Sequence, residues 1–213
     1  MTAARGIGVA VVSVRPSAAA VAAVGVYALM WLGHQQAWGW LDSPDAASLS
    51  TLYDVGVQHP EWVRFWQVLC TVLGPAVFRV LAAVAAVIAL VRRSLRTAAF
   101  LFVTVELSGL LIQAAKGLAD RPRPATALVT ESSSSFPSGH ALGVLVGVLA
   151  LLTVVWPMLS RPLAVAAGAA GAVVVLAVGF GRVALNVHHL SDVLAGWALG
   201  YLYFLACAWL LRR

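Results

Sequence analysis

The residues of this chain best suited to chemistry begin with its single lysine. Lys116 is the only lysine among 14 basic side chains, and the sequence GLADRPRP follows it, which places Arg123 seven residues later. Lysine and arginine side chains can hold the oxygens of a phosphoryl group and offset the charge of its transition state. Taken alone, a lysine at the end of an apolar segment is also typical of a cation that extends from a membrane helix towards water.

A second cluster, Phe136-Pro137-Ser138-Gly139-His140, stands directly before an apolar segment. Proline and glycine favour a tight turn, and the helix predicted after the turn presents free backbone amides and the positive end of its dipole. Such a helix N-terminus binds phosphate, and the Ser138 hydroxyl adds one more donor. By itself, the motif is equally consistent with an ordinary turn and helix cap.

The third cluster extends from Gly181 to Asp192 and precedes the last apolar segment. His188 and Asp192 are four residues apart, and this spacing predicts that they share one helical face. The carboxylate can then accept a hydrogen bond from one ring nitrogen and leave the other nitrogen as a nucleophile. His189 is expected to point elsewhere. A histidine at a membrane interface is more often structural than catalytic, so this pair alone decides nothing.

Together the clusters contain cations, histidines, an aspartate and a helix N-terminus, which are the groups that phosphoryl transfer requires. Their spacing resembles the three motifs of the type 2 phosphatidic acid phosphatase superfamily, over most of the chain from the second predicted helix onward. The matching motifs are Lys116 with six residues before Arg123-Pro124, then Pro137-Ser138-Gly139-His140, then Arg182 with five residues before His188 and three more before Asp192. Gly181 departs from the pattern, since the family usually has serine there, and one hydroxyl donor is lost.

The resemblance implies a double displacement that needs no metal and no other cofactor. His188 would attack phosphorus and form a phosphohistidine, while Asp192 orients its ring. His140 would protonate the leaving oxygen and then deprotonate the water that releases phosphate. The phosphate-binding residues that the resemblance implies are Lys116, Arg123, Ser138, Gly139 and Arg182. The acids of the first polar segment lack metal-ligand spacing and are expected to be solvated; they are Asp42, Asp45, Asp54 and Glu61.

The elements that must position these residues are predicted from composition and hydropathy. The chain has 213 residues, of which 62% are hydrophobic and 10% charged, and this balance lies outside the range of soluble proteins. Its apolar runs are close to the roughly 20 residues that cross a bilayer. We therefore predict an all-α, polytopic membrane protein, a six-transmembrane-helix bundle forming a single domain over 1–213. The predicted crossings are 16–33, 66–91, 98–115, 140–158, 162–181 and 193–211.

The arrangement of basic residues predicts how this bundle is oriented. Six crossings place both termini on one side, and the positive-inside rule makes that side cytoplasmic. The N-terminal run is expected to be a retained first helix rather than a cleaved signal peptide. The outward segments are then 34–65, read as an interfacial loop that serves as a lid or as an aromatic belt, and the active-site loops 116–139 and 182–192. The arginines that carry this prediction are Arg5, Arg15, Arg92, Arg93, Arg96, Arg161, Arg212 and Arg213.

Other polar residues receive structural interpretations. Glu106 lies inside the third apolar run, where a carboxyl group is costly, and a hydrogen-bonded structural role is expected for it. Asp120 and Arg121 are expected to pair with each other or with lipid headgroups. Cys70 and Cys207 lack disulfide or zinc spacing and are expected to be buried.

The sequence as a whole favours a phosphatase of the plasma membrane that acts on a lipid phosphate or diphosphate, with its site on the extracytoplasmic side. Candidate substrates are a polyprenyl diphosphate, phosphatidate and phosphatidylglycerol phosphate. A phosphotransferase or a phosphatase of other phosphate esters remains open, and a non-catalytic transporter is a weaker alternative. Membrane lipids are the expected partners. The net charge of +6 forms no basic stripe, so nucleic acid is not expected. Nothing in the sequence predicts an oligomeric state.

Overall fold

The computed structural model describes residues 18–211, and within them it contains helices and turns but no β-strand. The predictions that rest on Arg5, Arg15, Arg212 and Arg213 fall outside this range. A π-helical turn, Phe102–Glu106, joins α5 to α6, and a 3-10 turn, Trp156–Met158, follows α7. The helices are α1 (Ala18–Gln35), α2 (Gly39–Gln58), α3 (Pro60–Val72), α4 (Pro75–Val91), α5 (Leu95–Leu101), α6 (Ser108–Ala119), α7 (Gly139–Val155), α8 (Arg161–Ala184) and α9 (Leu190–Leu210).

Six segments of the described chain are long and apolar enough to cross a membrane, which confirms the predicted all-α six-helix membrane bundle. The second segment combines α3 and α4, which are separated at Gly74-Pro75 because proline has no backbone N–H to continue the helical pattern. The third combines α5, the π-helical turn and α6. The six segments are Ala18–Gln35, Pro60–Val91, Leu95–Ala119, Gly139–Met158, Arg161–Ala184 and Leu190–Leu210.

The outward face of the bundle is apolar, as a surface in contact with lipid requires. On α4, valines spaced three or four residues apart share one face and are exposed. On α8, Val165, Val173 and Leu176 are exposed in the same way. A helix satisfies its own backbone hydrogen bonds, so it can cross hydrocarbon with apolar side chains exposed to the lipid. The exposed valines of α4 are Val80, Val84, Val87 and Val91.

Helix α7 lies at the centre of the bundle and packs against α9, α8 and α4. Small residues allow its backbone to approach α9 closely. A Cβ atom on Gly196 would lie 2.6 Å from the Ser138 carbonyl oxygen, and one on Gly200 would lie 3.2 Å from the Leu142 carbonyl oxygen. Glycine at membrane helix interfaces permits this kind of contact. The approach places the start of α7 beside the first turn of α9, where two of the three sequence clusters meet.

The segment 34–65 was predicted to be an interfacial loop, and this prediction was wrong in its structure. The segment is mostly helical, because α2 occupies Gly39–Gln58 and α3 begins at Pro60. Leu41 and Leu49 are buried and give α2 an inner face. Helix α2 packs against α1, α3, α8 and α9. It therefore covers the end of the bundle where the polar clusters lie.

Two expectations about buried residues have different outcomes. Cys70 and Cys207 are buried free thiols, as predicted. Glu106 was expected to be hydrogen-bonded, but its Oε1 atom is buried without a hydrogen-bond partner among the described residues. It lies in the π-helical turn, where the regular helical pattern is interrupted.

Candidate active site

The three polar clusters of the sequence come together at one end of the bundle. Lys116 lies in the last turn of α6, Ser138 caps the start of α7, Arg182 lies in the last turn of α8, and Asp192 lies in the first turn of α9. Because successive membrane segments run in opposite directions, these helix ends face the same side. The segment 120–138 and the turn 185–189 connect them and complete the site.

His188 and Asp192 form a close pair, but not on one helical face as predicted. His188 precedes α9, which begins at Leu190, so the pair is made by the turn that enters the helix. Asn186 in this turn has a φ of 54°, a left-handed conformation that asparagine tolerates better than most residues. The Nδ1 atom of His188 lies 3.5 Å from Oδ2 of Asp192, and His188 is 1% exposed.

The carboxylate of Asp192 is held by donors on several sides. Its Oδ2 atom accepts hydrogen bonds from the Ser135 hydroxyl at 2.5 Å and from the His189 backbone N–H at 2.8 Å. Its Oδ1 atom accepts one from Arg121 at 2.7 Å. His189 was expected to be a bystander, but its Nδ1 atom lies 3.2 Å from Oδ2, and the two residues form a capping box at the start of α9. The fixed carboxylate can orient the ring of His188.

The Nε2 atom of His188 faces the guanidinium of Arg123 at 3.3 Å. A guanidinium only donates hydrogen bonds, so Nε2 must be the acceptor and the proton of the neutral ring is assigned to Nδ1, on the side of Asp192. Burial lowers the pKa of His188 to about 4, although Asp192 acts in the opposite direction. At neutral pH the ring is therefore uncharged and carries a lone pair on Nε2.

Three cations lie at this end of the bundle, and Arg123 is the one in contact with Nε2 of His188. Arg123 donates to the Ser133 carbonyl at 2.7 Å and to the Val187 carbonyl at 2.6 Å, which fixes its guanidinium. Lys116 donates to the Ser134 carbonyl and is 7% exposed. Arg182 is 4% exposed and pairs with Glu131. Cations held in this way, two of them buried and Arg123 half-buried, form a preorganised site for an anion.

The start of α7 lies against the same cations. Ser138 is fully buried, its hydroxyl accepts a hydrogen bond from the Ala141 N–H at 3.4 Å, and its own N–H donates to the Asp192 carbonyl at 2.9 Å. A Cβ atom on Gly139 would lie 3.9 Å from Cε of Lys116, so the helix N-terminus and the lysine are neighbours. His140 lies close enough to Arg182, Glu131 and His188 for their charges to act on its ring.

Comparison with known proteins identifies the family of the chain. The family model described as the PAP2 superfamily matches residues 97–213, more than half of the chain. The chain belongs to the PAP2 superfamily. This finding confirms the family resemblance that the motifs indicated.

Two known proteins are similar to the chain. Phosphatidylglycerophosphatase B of Bacillus subtilis (strain 168) is 43% identical over 99 residues, which are 45% of this chain and 48% of that protein. The match thus spans about half the length of the curated relative. The crystal structure of a transmembrane PAP2-type phosphatidylglycerolphosphate phosphatase from Bacillus subtilis is similar, with a TM-score of 0.78 and 24% identity over 90% of this chain and 94% of that one. This similarity shows a shared fold.

The glycine that departs from the usual PAP2 pattern has a packing explanation. A Cβ atom on Gly181 would lie 2.6 Å from Sγ of Cys70 and 2.9 Å from Cε3 of Trp66. Helix α3 therefore packs so closely against the end of α8 that a serine would require both side chains to move. The glycine thus lacks the serine hydroxyl but allows α3 and α8 to pack directly against each other.

Several residues of this PAP2 site were missed by sequence reasoning. Asp45 was expected to be solvated but is 3% exposed and contacts Arg121, which is itself buried. Arg121 was expected to pair with Asp120 or a headgroup, but it joins Asp45 to Asp192. Glu131 and Ser135 lie outside the three motifs, and no local spacing distinguishes them. Loop closure and helix packing bring these four residues to the site, and neither can be predicted from residue spacing in the sequence.

Among residues 18–211, no group of three or more histidine, cysteine or acidic side chains is placed to hold a metal ion. The side chains of Lys116, Arg123 and Arg182 bring positive charge to this end of the bundle. The arrangement can therefore bind a phosphoryl group through protein cations and present a neutral histidine to it.

Proposed function

We propose that this chain is a single membrane-embedded phosphatase domain that hydrolyses the phosphate of a lipid through a phosphohistidine intermediate. The observation that carries the proposal is the environment of His188. Its Nδ1 atom faces Asp192 at 3.5 Å, and its Nε2 atom faces the guanidinium of Arg123 at 3.3 Å, at the end of the bundle where Lys116 and Arg182 also lie. Phosphoryl transfer to nitrogen requires a nucleophilic ring that a carboxylate orients and cations that bind the phosphoryl oxygens.

In the first step, the lone pair on Nε2 of His188 attacks phosphorus, and the bond from phosphorus to the lipid oxygen breaks. The leaving oxygen takes a proton from His140, whose ring must be protonated when the lipid phosphate is bound, and the negative charge of the phosphate favours that form. Asp192 stabilises the positive charge that develops on the ring of His188. Lys116, Arg123, Arg182 and the free amides at the start of α7, including that of Gly139, hold the phosphoryl oxygens, and Ser138 fixes this turn.

In the second step, water attacks the phosphohistidine and gives up a proton to the now neutral ring of His140. The phosphorus–nitrogen bond breaks, and its electron pair returns to Nε2 of His188. Both histidines regain their starting protonation, so the cycle consumes one lipid phosphate and one water. General acid–base help of this kind contributes typically about 10²- to 10⁴-fold to the rate.

Phosphatidylglycerol phosphate is the substrate we favour, because both relatives are named for its hydrolysis. The exposed apolar faces of α4 and α8 support a substrate whose acyl chains stay in the bilayer while its phosphate reaches the site at the helix ends. Phosphatidate and polyprenyl diphosphates share the same reacting group and are the alternatives within this class.

The proposal is tested by phosphate release from purified protein in detergent, with phosphatidylglycerol phosphate, phosphatidate and a polyprenyl diphosphate assayed side by side. Soluble glycerol phosphate in the same assay distinguishes a lipid phosphatase from a phosphatase of other esters, and an added alcohol acceptor detects phosphotransfer. We expect the highest kcat/KM with phosphatidylglycerol phosphate. Absence of phosphate release from every lipid would refute the proposal.

We also propose that the protein lies in the plasma membrane with its site on the extracytoplasmic side and its termini in the cytoplasm. Among the described residues, Arg92, Arg93, Arg96 and Arg161 lie at or beside the span ends opposite the site. Positive residues beside membrane spans favour the cytoplasmic side.

A further inference from the structure

Asp45 is a buried carboxylate in a helix whose other acids face solvent. Asp42 and Asp54 on α2 are exposed, whereas Asp45 is 3% exposed. Its Oδ1 atom accepts a hydrogen bond from the backbone N–H of Ser191 at 2.9 Å. Its Oδ2 atom accepts from the Ser191 hydroxyl at 2.5 Å and from Arg121 at 3.0 Å. Burial of a carboxylate is costly unless hydrogen-bond donors compensate it, and these three hydrogen bonds provide that compensation.

The contact with Ser191 makes Asp45 a cap for α9 supplied by another part of the chain. Ser191 is the second residue of α9, and its backbone N–H belongs to the first turn, where no acceptor exists within the helix. A carboxylate at a helix N-terminus also interacts favourably with the helix dipole. Asp45 therefore holds the first turn of α9 in place, and Asp192 is the next residue in that turn.

Arg121 carries the contact from Asp45 to the site. One nitrogen of its guanidinium donates to Asp45, and the other donates to Asp192 at 2.7 Å and to the Ser191 hydroxyl at 2.8 Å. Arg121 is 5% exposed, so this guanidinium is fixed between two buried carboxylates. If one carboxylate loses its charge, the balance of charge around the other changes, because buried ion pairs depend strongly on each partner.

We propose that Asp45 is a positioning residue for the reaction, which acts from α2 through Arg121 and Ser191 to fix the carboxylate of Asp192 behind His188. The inference rests on the proposed function. The carboxylate of Asp45 contacts Arg121 and Ser191, and these contacts lie on the side of Asp192 away from the Nε2 atom of His188. The helix that the sequence left open as a lid or a belt is thereby a fixed support of the catalytic pair.

The position of Asp45 predicts a particular kinetic effect. Arg123, one of the proposed phosphate-binding cations, lies beside Nε2 of His188, whereas Asp45 acts through Arg121 on the Oδ1 atom of Asp192. A change at Asp45 should therefore alter the orientation of the nucleophile and leave binding of the lipid phosphate nearly intact. Small misplacements of reacting groups can cost about 10²-fold in rate.

The experiment compares Asp45→Asn with Asp54→Asn, the same substitution at an exposed position of the same helix. Initial rates are measured on purified full-length protein in detergent over a range of phosphatidylglycerol phosphate concentrations. We expect Asp45→Asn to lower kcat by about 10- to 100-fold with KM changed by less than about threefold. Asp54→Asn should leave both constants unchanged.

A milder variant keeps the inference testable if Asp45→Asn fails to fold. Ser191→Ala removes the hydroxyl that joins Asp45 to Arg121 but keeps the backbone N–H, and it should lower kcat in the same direction by a smaller factor. A cycle that combines Asp45→Asn with Arg121→Gln should give a loss well below the product of the single losses, because residues of one network act together.

The results distinguish failure of the proposed function from failure of the role assigned to Asp45. A wild-type protein that releases no phosphate from any lipid overturns the proposed function. An active wild type whose Asp45→Asn and Ser191→Ala variants match Asp54→Asn in kcat overturns the role of Asp45 alone. An effect of Asp45→Asn confined to KM also overturns it, because that would assign the residue to substrate binding.

Discussion

The carboxylate of Glu131 forms an ion pair with the guanidinium of Arg182 among the cations of the site. Its second oxygen lies 3.8 Å from Arg123, so one carboxylate interacts with two of the three proposed phosphate-binding cations. Burial alone would raise the pKa of Glu131, but the hydrogen bond and charge of Arg182 outweigh burial and hold this pKa below its ordinary value. Glu131 is therefore an anion at neutral pH, at a place where a phosphate anion is proposed to bind.

The first prediction is that Glu131→Gln strengthens binding of inorganic phosphate. The substitution keeps the shape of the side chain and removes the charge that competes for Arg182 and Arg123. We expect the inhibition constant for phosphate to fall about tenfold, because an anion would no longer have to displace another anion, and ion-pair changes of about 1.4 kcal/mol correspond to this factor. The measurement is competitive inhibition of lipid hydrolysis by phosphate.

Glu61→Gln is the matched control, since the Glu61 side chain is 77% exposed and belongs to α3. It should leave the inhibition constant unchanged. Weaker phosphate binding by Glu131→Gln would show instead that Glu131 is needed to position the arginines.

The second prediction concerns the two histidines. His188→Asn retains a donor towards Asp192 but has no nucleophilic nitrogen, and we expect it to lower turnover by more than about 10³-fold. His140→Asn should cost about 10²- to 10⁴-fold, as loss of a general acid–base typically does. Rates of phosphate release by purified variants provide the measurement, and a denaturing quench of the wild type should recover acid-labile phosphate on His188.

His59→Asn is the control for both histidine variants, because the His59 side chain is 57% exposed and pairs with Glu61 rather than with the site. Turnover by His188→Asn at the wild-type rate would rule out the phosphohistidine. A loss below tenfold for His140→Asn would remove it from the acid–base role.

The third prediction is a pH dependence of stability caused by His188. Its pKa is about 4 in the folded protein because of burial, compared with an ordinary value of 6.5. Between these values the unfolded chain binds more protons than the folded one, so the folded state loses stability as the pH falls from 6.5 towards 4. Thermal unfolding in detergent should show a steeper decline over this range for the wild type than for His188→Asn. Parallel curves would contradict burial of a neutral imidazole.

The relation between sequence and structure is different for the bundle and for the site. Apolar runs near the length of a bilayer crossing predicted the six spans, because hydrocarbon requires each span to satisfy its own backbone groups. Lys116, Arg123, Arg182 and His188 were predicted as site residues because their motifs are contiguous or regularly spaced. These residues then lie together because α6 and α8 end, and α9 begins, on the same side.

The partners of these residues could not be predicted, because they come from distant parts of the chain. Asp45 reaches Ser191 across 146 positions, and Ser135 reaches Asp192 across 57. The sequence does not show whether an aspartate is exposed or buried. Asp45 and Asp54 differ only in the structure, where α2 packs on α9 and buries Asp45. The expected helical face for His188 and Asp192 was likewise wrong, since a separation of four residues also fits a turn followed by a helix.

The fourth prediction concerns Gly181. Gly181→Ser restores the residue usual in the family, but its Cβ atom would meet Cys70 and Trp66, so we expect it to destabilise the protein by about 1–3 kcal/mol. Cys70→Ala removes the nearer obstacle and should recover part of the loss in the double variant. Gly25→Ser is the control, because no atom lies within 4 Å of the added Cβ there. Thermal unfolding of the four proteins measures the effect, and equal stability of Gly181→Ser and Gly25→Ser would contradict it.

The last prediction is that the active site faces outside the cytoplasm. The three proposed phosphate-binding cations are excluded from the charge count because function would fix their positions. Arg64 and Arg121 lie on the side of the site, but the arginines at the opposite span ends outnumber them and decide the orientation. A variant without Cys70 and Cys207, both buried, provides the background for labelling. In this background, Ser132→Cys places a thiol at an exposed position of the site loop, and Ser160→Cys places one at an exposed position between α7 and α8. A membrane-impermeant thiol reagent should label Ser132→Cys in intact cells and Ser160→Cys only after the membrane is opened. The reverse pattern would place the site in the cytoplasm and turn the enzyme towards lipids of the inner leaflet.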